Sequence, residues 1–516
     1  MAALTPDDLD QLAAAGISRA EAERQLALLA APPPPPQLLR PCTVGDGIVR
    51  LDADAQAAAV ARYQAFCARH GALRFVPASG AASRMFQSLA GWERFAGNPG
   101  AAAKDMSRRA IAGDPTAGDA VRFLSELPRF AFAEELAAAL AARGGGRLEE
   151  LRAKGDVGTI LHVLLDPAEL GYGALPKAAI PFHRYAEGAR TALEEQLVEA
   201  APLLADAAGR CRLHFTLPEA HRETLAAAAA AAASRLGSRL GVSFELGDSI
   251  QYPATDTLAL TPEGEPFRTE NGRLLLRPGG HGALVTNLAE LAASGADLVF
   301  VKNIDNIQPE HAHGETRHWS AVLAGHLLDL RSQAEAHFRT LSVQDDEATR
   351  SAAHEFLCRH FALAPAADRA TLLERLTRPV RVAGMVLQRG EPGGGPFWVA
   401  HGDGTASGQI VERAEAGSDP AAQALFGRST HFNPVDLVLG FGTFDGGHHD
   451  PRKFVEPRAV FIAQKSHQGR PLVALEHPGL WNGAMAGWNT AFVEVPEATF
   501  APVKTVFDLL RPAHQS

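Results

Sequence analysis

The chain has 516 residues, of which 46% are hydrophobic and 21% charged, a balance typical of a globular protein with a large core or two to three domains. Its formal net charge of −10 argues against a nucleic-acid-binding protein, since such proteins usually carry a basic stripe. No segment is long and apolar enough to span a bilayer, and the amino-terminal sequence lacks the pattern of a signal peptide. We therefore expect a cytoplasmic protein that binds neither nucleic acid nor membrane.

The first segment, residues 4–31, predicts two short helices. Thr5 is a candidate N-cap for the first helix, with Pro6 in its first turn, and Ser18 is a candidate N-cap for the second. The prolines at Pro32–Pro36 predict a stiff extended spacer. Residues 1–60 are thus interpreted as N-terminal helices and a proline spacer.

The central part alternates between predicted strands and helices. A helix is expected over 54–70, a strand over Leu73–Pro77, and mostly helical structure over 98–168 and 187–206. Further on, the expected elements are a strand at Arg212–Leu217, a helix at 219–238, and strands at Val242–Leu246 and Asp297–Val301. Residues 319–378 look helical, and strands dominate from Val380 onward.

This alternation favours an α/β fold with crossover helices. We expect a mixed, mainly parallel, Rossmann-like sheet flanked by helices. The α/β domain is placed at 61–345, with a helical insertion at about 90–170. A helical connector is expected at 346–378. A strand-rich part at 379–516 is expected to complete a substrate pocket.

The first candidate for chemistry is the segment from Phe75 to Met85, where a strand ends in a tight turn of small residues before a predicted helix. Small side chains such as those of Ser79, Gly80 and Ser83 let backbone N–H groups approach an anion. Arg84 could add a forked positive charge to a phosphate. The alternative is a plain strand–turn–helix corner with a surface arginine.

Lys177 lies alone in the apolar stretch Leu175–Phe182. A lysine at such a place can neutralise a phosphate. The alternative is a side chain that extends to solvent from the end of a strand.

A third candidate is the loop Arg277–Leu284, which leads into a predicted helix. The glycines Gly279, Gly280 and Gly282 are more than a simple turn requires. They suggest backbone pressed against a planar ligand, with His281 and Asn287 supplying polar contacts. The alternative is a glycine-rich loop that only caps the helix.

The fourth candidate is Asp305, which follows the apolar run Leu298–Val301 together with Asn303 and Asn306. The carboxyl ends of strands in open α/β sheets are where ligands bind. A carboxylate held there suits a hard cation such as Mg²⁺ that bridges phosphate oxygens. The alternative is an Asx turn that ends the strand.

The C-terminal part combines polar and apolar residues in several short segments. They contain Glu391, Asn433, Glu476 and Asn482, which we predict to contact substrate, and Lys504, which follows a proline-fixed stretch. Each of these segments could also serve packing alone. His311 and His313 invite a zinc-hydrolase hypothesis, but no partner at ligand spacing strengthens it.

Taken in order, these segments resemble the UDP-sugar pyrophosphorylase group of nucleotidyltransferases, whose sheet is of the GT-A type. The turn Ala78–Met85 is similar to that group's triphosphate loop, and Pro176-Lys177 to its Pro-Lys pair. Pro278–Gly282 resembles the nucleobase loop, and Asn303–Asn306 the segment whose aspartate holds Mg²⁺. Thr499–Lys504 and Gln251 resemble features of the N-acetylglucosamine branch.

Nearly everything after about residue 60 also resembles a bacterial domain of unknown function, the 4301 family. The shared strings are Pro-Ala-Ser-Gly-Ala-Ala-Ser-Arg-Met, Arg-Pro-Gly-Gly-His-Gly-Ala-Leu, Lys-Asn-Ile-Asp-Asn, Gly-Glu-Pro-Gly-Gly-Gly-Pro-Phe-Trp and Pro-Gly-Leu-Trp-Asn-Gly-Ala-Met. Relative to the pyrophosphorylases, Ser79 and Ala82 replace two glycines, and a mostly helical insertion separates Arg84 from Lys177.

The pyrophosphorylase resemblance implies an enzyme that transfers a nucleoside monophosphate from a nucleoside triphosphate, with UTP expected, to a sugar 1-phosphate or similar metabolite. Arg84, Lys177 and Lys504 would be catalytic, and Asp305 would hold Mg²⁺. The nucleotide would contact Ser79, Gly80, Ser83, Gln251 and Gly279–Gly282. The alternative is a nucleotide or sugar-phosphate binding protein without catalysis.

Overall fold

The computed structural model describes residues 4–144, 146–363, 368–390, 393–402, 404–417, 419–432 and 436–515. The chain divides into two compact units, each built from separated segments. Unit 1 comprises Met1–Leu73, Gln251–Val301 and His318–Glu497, and unit 2 comprises Arg74–Ile250, Lys302–Arg317 and Ala498–Ser516. The four sequence divisions expected above are continuous along the chain and stay a prediction.

The helices and strands are as follows. In chain order the α-helices are α1 (Pro6–Ala14), α2 (Arg19–Ala30), α3 (Ala53–His70), α4 (Pro99–Ile111), α5 (Pro115–Glu126), α6 (Ala133–Ala142), α7 (Leu148–Ala153), α8 (Val157–Leu165), α9 (Ala192–Leu204), α10 (Arg222–Leu240), α11 (Val285–Ala293), α12 (His313–Val343), α13 (Glu347–Phe361), α14 (Arg369–Leu376) and α15 (Pro420–Gly427). The strands are β1 (Gln37–Pro41), β2 (Thr43–Val44), β3 (Gly47–Val49), β4 (Leu73–Pro77), β5 (Pro181–Tyr185), β6 (Gly188–Thr191), β7 (Arg210–Thr216), β8 (Ser243–Ser249), β9 (Ala259–Leu260), β10 (Leu298–Val301), β11 (Val380–Met385), β12 (Gly394–Ala400), β13 (Ala406–Glu412), β14 (Asp436–Gly440), β15 (Phe461–His467), β16 (Arg470–Glu476) and β17 (Asn489–Glu494).

Several helices begin where their capping residues predict. The Thr5 hydroxyl accepts from the Asp8 amide and the Asp8 carboxylate accepts from the Thr5 amide, which completes a capping box at α1. Ser18 caps α2 by accepting from the Glu21 amide. Thr191 caps α9 in the same reciprocal way with Glu194. The two predicted N-terminal helices are therefore confirmed.

Unit 1 contains the strand series β2-β3-β17-β11-β14-β10. Its pairs are parallel except at β14, which runs antiparallel to both β10 and β11. Every residue of β10, β11 and β14 is buried, as expected for strands covered on both faces. Two three-stranded sheets, β1-β12-β13 and β15-β16-β9, also belong to this unit.

Unit 2 contains the strand series β4-β7-β8 and the hairpin β5-β6. Helix α10 connects the parallel pair β7 and β8, which is the expected crossover arrangement. Helices α4 to α8 follow one another between Pro99 and Leu165, and this part of the chain buries aromatic side chains such as Phe123, Phe130 and Phe132. The expected class, a mixed and mainly parallel α/β fold flanked by helices, is confirmed. Among the helices described, none is long and apolar enough to cross a membrane.

Candidate functional site

In unit 2, strand β4 leads directly into the proposed phosphate loop, residues 78–85. The loop ends in a single 3-10 turn at Ala82–Arg84, so the α-helix predicted here is wrong. The reason is mixed hydrogen bonding, because the Met85 amide donates to the carbonyl three residues back and the Phe86 amide to the carbonyl four back. Anion binding at this loop must therefore rest on individual amides and side chains rather than on the dipole of a long helix.

Several groups of this loop are available to a ligand. Gly80, Ser83 and Arg84 are exposed, and Ser79 is half-buried. The backbone amides of Ser79, Gly80 and Ala81 donate no hydrogen bond within the described part of the chain. Arg84 likewise forms no ion pair with another described residue. The loop thus presents amides and one guanidinium, which is the donor set that a phosphate requires.

Lys177 lies beside this loop in spite of the long helical insertion between them. The Lys177 amide donates to the Gly80 carbonyl (3.0 Å), and the Ala82 amide donates to the Leu175 carbonyl (2.9 Å). These two bonds form an antiparallel bridge between Ala81 and Pro176. The backbone therefore holds the start of the lysine segment against the loop.

The Lys177 side chain reaches the segment that follows β10. Its ammonium lies 2.6 Å from Asp305 Oδ2 and 2.7 Å from the Val503 carbonyl oxygen. The Lys177 side chain is 12% exposed and that of Asp305 is 22% exposed. Lys177 and Asp305, far apart in sequence, thus meet at a site that is partly exposed to solvent.

The C-terminal segment completes this cluster. The Val503 amide donates to the Asp305 carbonyl (3.0 Å), and the Val506 amide donates to the Met85 carbonyl (2.9 Å). Between them lies Lys504, whose side chain is exposed and whose amide donates to Asp508 (2.9 Å). Four segments that carry Arg84, Lys177, Asp305 and Lys504 therefore converge in unit 2. Their catalytic and metal-binding roles stay predictions.

Behind this cluster lies a fully buried group of charged residues. The Glu199 carboxylate oxygen Oε1 accepts from Arg74 (2.9 Å) and from the Lys302 ammonium (2.7 Å). Arg74 and Lys302 are 1% and 3% exposed, and Glu199 is 0% exposed. Burial would raise the pKa of Glu199, but the two cations outweigh it and hold that pKa at about 2.

Sequence reasoning missed this buried group, although one signal was present. Lys302 directly follows the buried strand Leu298–Val301, and Arg74 lies inside the apolar strand β4. Lysine and arginine are almost never fully buried without a partner. An interior carboxylate could thus be expected, but its identity as Glu199 depends on how α9 packs.

In unit 1, the loop Pro278–Gly282 packs against the segment Glu476–Pro478. A Cβ atom on Gly282 would lie 2.0 Å from the Pro478 carbonyl oxygen, and one on Gly279 would lie 2.4 Å from the Thr255 carbonyl oxygen. Gly280 has φ of 78°, a region that favours glycine. Close approach to the chain itself therefore accounts for these glycines. Their contact with a nucleobase stays a prediction.

His281 is held in one orientation by its neighbours. Its Nδ1 accepts from the Leu480 amide (3.0 Å), and its ring stacks on Trp481 with centroids 4.9 Å apart. Burial lowers the pKa of His281, which favours the neutral ring with its proton on Nε2. That nitrogen lies 3.6 Å from Glu412 Oε1.

The remaining residues predicted to contact the substrate, and Gln251, which was predicted to contact the nucleotide, lie as follows. Asn482 is 1% exposed, donates to Glu415 Oε2 (2.8 Å), and lines a cavity of about 880 Å³ within unit 1. Glu476 forms an ion pair with Lys465. The buried carboxamide nitrogen of Gln251 has no partner among the described residues. Glu391 and Asn433 lie outside the described residues.

Of the histidines that suggested a zinc site, His311 lies in the 3-10 turn Glu310–Ala312 and His313 begins α12, so that neither is on a strand. His313 is buried and its Nε2 contacts the Gln308 carbonyl (2.7 Å), whereas His311 is exposed. Within the described ranges, no group of three or more metal-ligating side chains occurs. The geometry offers no argument for the zinc-hydrolase hypothesis.

A comparison with models of known protein families identifies the family of this chain. A family model described as a domain of unknown function, DUF4301, matches residues 5–515. The chain belongs to the DUF4301 family. The resemblance noted from the sequence strings is thereby confirmed. A search of curated proteins found no significant match to this DUF4301 protein.

Several solved structures are similar at low identity. A mutant UDP-glucose pyrophosphorylase from Leishmania major in complex with UDP-glucose is 12% identical, with a TM-score of 0.45, over 98% of this chain and 79% of that one. The uridine diphosphate N-acetylglucosamine pyrophosphorylase from Trypanosoma brucei is 11% identical, with a TM-score of 0.46, over 95% and 74%. A UDP-glucose phosphorylase from Trypanosoma brucei is 12% identical, with a TM-score of 0.45, over 98% and 77%.

A glycine-to-alanine substitution is expected to affect the stability of the protein differently in the loop Pro278–Gly282 and in the phosphate loop. Gly282→Ala should destabilise the protein by about 1–3 kcal/mol, since its Cβ would overlap backbone that cannot move aside. Gly80→Ala should leave the free energy of unfolding within about 0.5 kcal/mol, since no atom lies within 4 Å of a Cβ there. Urea denaturation of both variants measures the difference, and equal stabilities would contradict the close approach at Gly282.

Proposed function

We propose that this DUF4301 protein is a nucleotidyltransferase of the pyrophosphorylase type. It transfers a nucleoside monophosphate from a nucleoside triphosphate, with UTP the expected donor, to a sugar 1-phosphate or similar phosphorylated metabolite. The observation that carries the proposal is the meeting of Lys177 with Asp305 at 2.6 Å, beside the loop that carries Arg84. These small-molecule substrates agree with the cytoplasmic location expected from the sequence.

In the proposed reaction, a phosphate oxygen of the acceptor attacks the α-phosphorus of the nucleotide. A new phosphorus–oxygen bond forms as the bond to the bridging oxygen of the β-phosphate breaks, and pyrophosphate leaves with that electron pair. The attacking oxygen is already anionic at neutral pH, so that no general base is required. Catalysis then consists of alignment and of neutralising crowded negative charge.

The chain's own groups suit these two tasks. Lys177 is anchored by its backbone bond to Gly80 and by its side-chain bond to the Val503 carbonyl, so that its charge has a defined position. Arg84 supplies a planar fork for phosphate oxygens. Lys504, on the adjoining C-terminal segment, adds a third positive charge. The amides of Ser79 and Gly80 would contact the phosphates of the nucleotide.

The residues present fit a magnesium ion. Mg²⁺ is usually held by one or two carboxylates, by waters and by substrate phosphates, rather than by a cage of protein ligands. Asp305 accepts from Lys177 through Oδ2, and its Oδ1 accepts no hydrogen bond within the part of the chain that the structure describes. Asp305 would hold the ion through Oδ1, and a bound Mg²⁺ would neutralise charge on the phosphates.

Two features favour a second candidate, a nucleotide or sugar-phosphate binding protein without catalysis. The Ala82 amide is already bonded to the Leu175 carbonyl, and no long helix follows the phosphate loop. Both features reduce the number of donors aimed at a triphosphate. Binding alone requires fewer placed charges than the set gathered around Lys177, which favours the enzyme.

The decisive experiment measures pyrophosphate release. Purified protein is incubated with Mg²⁺, each of the four ribonucleoside triphosphates and a panel of sugar 1-phosphates. We expect release that depends on both substrates and is abolished by EDTA. Lys104→Met, which alters an exposed lysine on α4, is the matched control and should retain full activity.

The alternatives give different results in the same assay. Saturable nucleotide binding measured by calorimetry, without pyrophosphate from any pair, would establish the binding protein instead. Pyrophosphate release without an acceptor would indicate hydrolysis and would contradict the proposed transfer.

A further inference from the structure

In the buried charged group behind the site, two cations share the carboxylate of Glu199. Glu199 Oε1 accepts from both Arg74 and Lys302, and the three side chains are at most 3% exposed. Gln196, one turn earlier on α9, accepts from Arg74 at 3.2 Å. We call Arg74, Gln196, Glu199 and Lys302 the buried clamp.

The buried clamp is attached to both loops of the proposed site. Arg74 lies on β4, which leads into the phosphate loop, and Lys302 lies three residues before Asp305. The Gln196 carboxamide donates to the Asn303 carbonyl at 3.1 Å. The main chains of the two loops also meet, because the Ile304 amide donates to the Pro77 carbonyl (3.3 Å).

Stability alone is a poor explanation for such a group. Transferring a charged side chain from water into the protein interior costs several kcal/mol. A protein in which well-packed apolar residues replace a buried ion pair is often as stable as the original or more stable. The charged side chains do, however, form bonds with a defined geometry. A carboxylate that is shared by two cations fixes the positions of the two segments that carry these cations. In this protein, one of these segments leads into the phosphate loop and the other leads to Asp305.

We propose that the buried clamp is a set of positioning residues, which holds the Asp305 loop and the phosphate loop in register. Its purpose rests on the proposed function, but its mechanical effect does not. Loss of a clamp contact frees residues 302–306 to open locally, and catalysis falls because Asp305 and Lys177 lose their shared geometry.

The test is hydrogen exchange measured by mass spectrometry on Gln196→Met. Methionine matches glutamine in length and leaves the bond between Arg74 and Glu199 in place. It removes both the bond that Gln196 donates to the Asn303 carbonyl and the bond that Gln196 accepts from Arg74. We expect amide exchange in peptides that cover 302–306 to accelerate about fivefold or more, since even one lost hydrogen bond of ordinary strength gives an effect of about that size. Exchange in α10 should stay unchanged.

Gln25→Met is the matched control. Gln25 is also 0% exposed and its carboxamide binds both a side chain and a carbonyl, but in unit 1. It should leave exchange at 302–306 unaltered. Lys302→Met is a second variant, expected to accelerate the same peptides, in case Gln196→Met does not fold.

The outcomes separate the two proposals. Unchanged exchange at 302–306, or equal acceleration throughout the protein, overturns the clamp. Where the wild type releases pyrophosphate, both clamp variants should lower kcat more than they raise KM for the nucleotide. Absence of pyrophosphate release from the wild type overturns the proposed function, whereas the exchange comparison still decides on the clamp.

Discussion

Lys177→Met should lower turnover by about 100- to 1000-fold, the effect of removing one positioned charge that stabilises a transition state. The reason is the placement of its ammonium between Asp305 Oδ2 (2.6 Å) and the Val503 carbonyl (2.7 Å). The change should cost little stability, since the Asp305 side chain is 22% exposed and retains contact with water. Steady-state kinetics and thermal unfolding measure the two effects separately.

A double-mutant cycle distinguishes function from mere pairing. Asp305→Asn should also lower turnover by orders of magnitude and should weaken the dependence on Mg²⁺. If the two residues only neutralise each other, the double variant should recover the activity lost in either single variant. We expect no recovery, because each residue acts on a different part of the substrate complex. Unchanged turnover in both single variants would end the assignment.

Glu199→Gln should destabilise the protein by about 3–5 kcal/mol at neutral pH, the usual cost of breaking a buried ion pair from one side. The variant leaves Arg74 and Lys302 buried without the negative charge of Glu199. Lys302→Met leaves the bond between Glu199 and Arg74 in place and tests the contribution of Lys302 separately. Urea denaturation of the three proteins gives the comparison.

The effect of Glu199 should depend on pH in a defined direction. Its pKa is about 2 in the folded protein, because Lys302 and Arg74 outweigh the cost of burial, against 4.5 for an ordinary glutamate. A depressed folded pKa contributes stability above the unfolded value and loses it as pH falls. The stability difference between wild type and Glu199→Gln should therefore shrink between about pH 4.5 and pH 2.

Glu195 is a matched control one turn away on α9. It is also 0% exposed, but burial raises its pKa to about 7, against the opposing effects of Tyr185, His313 and Arg190. Because burial makes the charged carboxylate of Glu195 less favourable than that of an ordinary glutamate, Glu195→Gln should cost less stability at pH 7 than Glu199→Gln does. Equal losses in both variants would contradict the assignment of the buried charge to Glu199.

Much of the local structure could be predicted from short-range sequence signals. The caps at Thr5 and Ser18, the strand Leu73–Pro77 and the run Leu298–Val301 all depend on residues within a few positions of one another. The helix predicted after the phosphate loop was wrong. Small residues and an arginine are compatible with either a helix or a series of turns. In the structure, which has turns here, the Ala82 amide donates a hydrogen bond to the distant Leu175 carbonyl.

The candidate site was predicted residue by residue but not as an arrangement. Lys177 stood out as a charge in an apolar stretch, and Asp305 stood out as a carboxylate that follows an apolar strand. Their mutual contact depends on the bridge between Ala81 and Pro176 and on the C-terminal segment at Val503, neither of which has a local signal.

By itself, the sequence determined several strands and helices, the capping residues Thr5 and Ser18, and Lys177 as a charge in an apolar stretch. Tertiary structure alone decided that Glu199 neutralises Arg74 and Lys302, and that the glycines at 279–282 accommodate Glu476–Pro478. The physical reason is range: capping and periodicity act within a turn or two of chain, whereas buried charges and close backbone contacts are satisfied by whichever segment the fold brings near.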